Sequence, residues 1–114
     1  MNAPKNPLKQ EELLAICNGQ GSDKERWLAA SNPCLSSSIL LDLLHSFDQV
    51  LRDGAAANPA LTNDIVRQAR LHHDCEAWLY IVDNPAIDLS LLQEMLVACR
   101  DPFILDRLRR RALG

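Results

Sequence analysis

The 114-residue sequence is poor in the residues from which enzymes are usually read. It has two Trp, one Tyr and two Phe, and its four Gly form no glycine-rich phosphate cradle. No nucleophile elbow or oxyanion loop stands beside a serine or cysteine, so nucleophilic catalysis has no motif to rest on. Surplus positive charge is also missing: the formal net charge is -3, which argues against a general nucleic-acid binder that works by displacing counterions. No apolar run nears the ~20 residues of a membrane span, and the longest tidy one, "ILLDLL", is broken by Asp42. The leading "MNAPKNPLKQEE" lacks the apolar centre of a secretory signal, so the expected location is the cytoplasm. Cys17, Cys34, Cys75 and Cys99 include no close pair of the kind that holds zinc or iron-sulfur. They are expected to be small buried hydrophobes or free thiols.

What the chain does have is a ruler. Asn-Pro occurs at Asn6-Pro7, Asn32-Pro33, Asn58-Pro59 and Asn84-Pro85, each 26 residues after the last. A fixed period in this range marks a repeat array. With 47% hydrophobic residues there is enough apolar matter for one core, so residues 1–114 read as a single domain of four units, 6–31, 32–57, 58–83 and 84–109. Three residues past each Pro come Gln10, Ser36, Thr62 and Asp88, the last three being good helix N-caps. Next come Leu13, Ile39, Ile65 and Leu91, then Leu14, Leu40, Val66 and Leu92, with Cys17, Leu43, Ala69 and Met95 one turn on. That spacing is an apolar helical stripe. Leu35, Leu61 and Ile87 extend it upstream, whereas Lys9 breaks it in the first unit, which is expected to be a frayed cap.

A second helix start is expected in every unit at Asp23, Asp48, Asp74 and Asp101, the last followed by the Pro that suits a first helical position. Helices this short are marginal alone and must stack on their neighbours. The expected fold is all-α, a short right-handed α-solenoid of about four 26-residue two-helix repeats. Asn before Pro is expected to end each second helix, helped by its tolerance of a left-handed turn. Gly54 reads as a weak point in its helix, and "NGQGSD" as a looser turn.

The segments "RWLAASNPCLSSSILLDLLHSFD" and "LRDGAAANPALTNDIVRQARLHHD" resemble the leucine-rich repeat variant pattern "VRxxVAxNPxxPxxLLxxLAxD" in their Arg, small residues, Asn-Pro, apolar pair and closing Asp. The resemblance runs through nearly the whole chain. It departs where the column of Arg26 and Arg52 becomes Trp78 and Ile104. The resemblance implies α-helices alternating with short helices of 3₁₀ character in a right-handed superhelix, within the broader class of HEAT- and armadillo-like solenoids. The iron-sulfur centre of some members does not carry over, because this sequence lacks their N-terminal cysteine cluster.

For function, the expectation is a non-enzymatic protein-protein interaction or adaptor module, small, cytosolic and bacterial in style, taking a protein or peptide partner. Trp27, Trp78 and Tyr80 fall in the second halves of their units with Arg26 and Arg52 alongside, and Trp, Tyr and Arg dominate interface hot spots. Core filling is the competing role for the tryptophans, and Tyr80 is the better candidate for exposure. The alternative is a nucleic-acid-binding repeat protein using the basic C-terminal end, where Arg107, Arg110 and Arg111 stand, although arginines there also offset a helix dipole. No cofactor or metal is expected: His72, His73, Asp74 and Cys75 cluster in sequence, but adjacent side chains usually point apart and read as a polar turn. Two open ends leave room for a homodimer.

Overall fold

The computed structural model describes residues 21–113, so the expectations about Gln10, Leu13, Leu14, Cys17 and the frayed first stripe lie outside the described residues. Those described form seven helices and no strand: α1 (Asp23–Ala30), α2 (Ser37–Leu44), α3 (Gln49–Ala56), α4 (Asn63–Ala69), α5 (Trp78–Asp83), α6 (Leu89–Met95) and α7 (Pro102–Leu113). All but α7 have eight residues or fewer, a length at which side-chain caps decide where a helix begins. Ser36, Thr62 and Asp88 cap α2, α4 and α6 through bonds to backbone N–H groups of the first turn. Asp48 caps α3, and the Asp101 carboxylate accepts from the N–H of Phe103 and Ile104 at the start of α7.

Two of the expected second starts are corrected. Ser22, not Asp23, caps α1: its hydroxyl accepts from Glu25 N–H at 3.2 Å while the Glu25 carboxylate accepts from Ser22 N–H at 2.9 Å, a reciprocal box that also holds the Glu25 carboxyl below its usual range. Asp74 caps nothing. Its carboxylate is drawn to the next interhelical loop, where Arg100 N–H (3.1 Å) and Cys99 Sγ (3.4 Å) donate to it, and α5 starts at Trp78 after an Ala77 N-cap position that offers no side-chain cap.

The Asn-Pro junctions are held by a buried hydrogen-bonded ladder. The Asn58 side-chain amide donates to Ala30 O (2.9 Å) and Asn32 O (2.8 Å), and its Oδ1 accepts from Ala60 N–H (2.7 Å). One period on, the Asn84 amide donates to Ala56 O (3.0 Å) and Asn58 O (2.9 Å), and its Oδ1 accepts from Ala86 N–H (3.0 Å). Each Asn thus closes its own turn and ties it to the turn 26 residues earlier. The expected left-handed backbone is absent: Asn84 lies at φ -78°, ψ 113°, and Arg70 is the one non-glycine residue with positive φ among those described. Asn is required here for its amide.

A third rung comes from an unexpected residue. Arg111 Nη1 donates to Val82 O and Asn84 O, both at 3.0 Å, and Nη2 donates to Ile87 O. Val82 O and Asn84 O are the carbonyls one period beyond the pair that Asn84 binds, so the guanidinium stands where the next Asn amide would be.

Between these rungs the core runs as columns at the same period. Leu35, Leu61 and Ile87 are buried just after the junctions, Leu40, Val66 and Leu92 beneath the caps, and Ala30, Ala56 and Val82 ahead of each Asn. α1 packs on α3, α3 on α5 and α5 on α7, while α2 packs on α4. The small column lets α1 and α3 come very close: a Cβ added at Gly54 would lie 2.8 Å from Ala30 Cβ and 3.1 Å from Trp27 O. Gly54, expected to be a weak point, is a contact point. Leu28 and Phe103 are exposed, and Cys34 is a free thiol at the surface, the second of the two roles expected for the cysteines. No described helix is long and apolar enough to cross a membrane.

Candidate partner-binding face

The helices α1, α3 and α5 lie side by side, and their outward residues form the face on which half of the expected site residues meet. Trp27 on α1 and Tyr80 on α5 reach across to one another, with ring centroids 5.4 Å apart and planes at 63°. That edge-to-face geometry is the favourable one for aromatic pairs. Because α3 packs between their helices, the rings meet over α3. Trp27 is half-buried and Tyr80 is 36% exposed, so the pair is fixed by packing yet open to solvent.

Trp78 does not belong to this face. It is 0% exposed, and its indole N–H donates to His72 O at 2.9 Å, which satisfies the one polar atom that burial would otherwise penalise. Its expected role as an anchor is corrected to that of a core residue. The reason is its register, since it occupies the column of Arg26, Arg52 and Ile104, and of these Ile104 is also fully buried.

The arginines of the face are engaged within the chain. Arg26 donates to Asp23 Oδ1 (2.7 Å) and Gly21 O (2.9 Å), and its Nε lies 3.0 Å from Asp48 Oδ2 without the alignment of a hydrogen bond. Arg52 Nε lies 3.4 Å from Asp53 Oδ1. Asp53 was not expected as a site residue, and it is only 4% exposed. Burial raises its carboxyl above the ordinary carboxylate range, Arg52 and a hydrogen bond from Gln49 act in the opposite direction, and the nearby Glu76 charge pushes it further up. Gln49 in turn donates to Glu76 at 3.4 Å, linking α3 to the residues just before α5. The signal that could have revealed Asp53 is its column: Trp27, Asp53, Leu79 and Leu105 share one register, and the acid is the exception.

The C-terminal arginines lie apart, on α7. Arg107 pairs with Asp83, Arg110 with Asp106 at 3.0 Å, and Arg111 fills the ladder. The structure therefore brings Trp27, Tyr80, Arg26 and Arg52 to neighbouring helices and leaves Arg107, Arg110 and Arg111 to a different element with partners of its own.

Two further places are shaped for contact. An open groove of about 430 Å³ runs between α2 and α4, lined by Ser37, Ser38, Leu41, Thr62, Asp64, Ile65 and Gln68. In the loop before α5, the side chains of His72, His73 and Asp74 converge instead of pointing apart. Comparison with protein-family models, with curated proteins and with solved structures returns no match.

Proposed function

We propose that this chain is a helical-repeat scaffold, a short right-handed α-solenoid of 26-residue two-helix units of the leucine-rich repeat variant kind. Three observations support that class: the Asn ladder recurs in register, the buried columns share its period, and the molecule is elongated. Its extents are 45 × 30 × 23 Å, and its radius of gyration of 14.5 Å exceeds the roughly 13 Å of a globular domain of this size.

Within that class we infer a non-enzymatic interaction module that takes a protein or peptide segment along α1, α3 and α5. The observation that carries this reading is the Trp27–Tyr80 pair, a preorganised aromatic anchor open to solvent. Rigid aromatic anchors lose little entropy on binding, which is why they dominate hot spots. A pull-down from native lysate with wild type and Tyr80→Ala in parallel tests it. The expected result is a partner retained by wild type and lost from the variant; identical recovery by both would remove the reading. The nucleic-acid alternative loses support because Arg107, Arg110 and Arg111 all have partners in the chain. A salt titration against DNA and RNA decides it, since phosphate binding must weaken steeply with salt.

A further inference from the structure

The loop joining α4 to α5 holds the one group of three metal-ligating side chains found together among the described residues. One donor atom each from His72, His73 and Asp74 lies within 4.8 Å of the other two. Consecutive residues rarely converge in this way, and the cause is visible on both sides of the cluster. Arg70 ends α4 in the left-handed region at φ 48°, ψ 45°, a conformation uncommon for a non-glycine residue, and it turns the chain sharply before the histidines. Beyond them, Arg100 N–H and Cys99 Sγ anchor Asp74 Oδ1 from the next interhelical loop. The two imidazoles are left stacked, with centroids 4.2 Å apart and planes at 25°.

The donors are also oriented. With Oδ1 held, Asp74 turns Oδ2 to within 3.6 Å of His73 Nε2. His72 Nδ1 accepts from Asp74 N–H at 3.2 Å, so the neutral ring carries its lone pair on Nδ1, facing the loop. We propose that this loop is a binding site for a divalent transition-metal ion of the zinc class, ligated by His72, His73 and Asp74. Imidazole and carboxylate donors suit zinc, copper or nickel, whereas magnesium and calcium prefer oxygen alone. An imidazole binds a metal in its own ring plane, so the stacked rings must swing apart as the donors draw together by roughly 1 Å toward metal–ligand lengths of about 2.0–2.2 Å, side-chain rotations that the half-exposed loop permits. The ion replaces the Asp74 N–H at His72 Nδ1, and that N–H, at the surface, turns to water. Solvent fills the remaining coordination positions, and Arg100 N–H holds the ligating carboxylate from behind, as outer-shell donors do in metal sites.

The test is calorimetric titration of the full chain with Zn²⁺, repeated with Co²⁺ and read by visible absorption. Variants are His72→Ala, His73→Ala, the double variant and His45→Ala, each checked for helical content by circular dichroism. The expected outcome is a single equivalent bound by wild type and by His45→Ala alike, with affinity reduced about tenfold or more in each single variant of the cluster. Absence of saturable uptake by wild type would overturn the proposal. So would uptake that persists undiminished in the double variant, because the cysteines would then be the ligands.

Discussion

At Asn58 one side chain satisfies three backbone groups in a place that water does not reach. Removing it with Asn58→Ala orphans two carbonyls and one N–H, each at about 1–3 kcal/mol, so the expected loss is roughly 3 kcal/mol or more in urea denaturation. Asn58→Asp is expected to be worse, since it sets a buried carboxylate against Ala30 O and Asn32 O with no donor between them. The position of Asn58 was legible from the ruler; its reason was not, because the partners lie 26 and 28 residues away. Asp53 carries a different prediction. Its folded pKa lies above the ordinary 3.8, so its stabilising contribution is complete below that value and is lost as pH rises through the raised folded value. At neutral pH the fold therefore holds a charge it disfavours. Asp53→Asn is expected to raise the melting temperature at pH 7, with the gain shrinking as pH is lowered toward 4; an unchanged or lowered midpoint at pH 7 would contradict this.

Among the elements, α3 gives the sharpest conflict between local and tertiary effects. Helix propensity alone favours Gly54→Ala by about 1 kcal/mol. The new methyl, however, would sit 2.8 Å from Ala30 Cβ and 3.1 Å from the Trp27 carbonyl, both on a helix with little room to retreat. Overpacking of this kind costs about 1–3 kcal/mol, so Gly54→Ala is expected to destabilise, and Ala30→Gly in the same chain to restore part of the loss. Thermal unfolding of the single and double variants checks the sign. The same contrast explains which element boundaries could be read in advance. A cap is a local device, and Ser36, Asp48, Thr62 and Asp88 were recognisable from their own neighbourhoods. Asp74 looked equivalent but was claimed by Arg100, a partner that no local reading contains.

Over the whole molecule, the column pattern told which residues share a row but not which rows face outward. Trp78 and Tyr80 are two residues apart on one short helix, yet the first is sealed in the core and the second is open, a difference fixed by how α5 is rotated against α3 and α7. The aromatic row was therefore legible in the sequence, and the identity of its exposed members was not. On the proposed repeat reading, a duplicate of residues 58–83 inserted before Asn84 should fold in register. It should lengthen the particle by about 9 Å, one helix-packing distance, as measured by small-angle scattering. An unchanged length would argue against stacking.

Such an insertion leaves Arg111 where it is, and there the ladder acquires a direction and an end. The Asn58 and Asn84 amides both reach backward to the preceding turn, so each of these turns exposes acceptors for a successor. The guanidinium consumes the last set with a side chain from the same chain, using a donor that opens no new turn of its own. In polymer terms Arg111 is a stopper on the Asn84 turn: while its guanidinium holds Val82 O and Asn84 O, those carbonyls are closed to a further Asn amide.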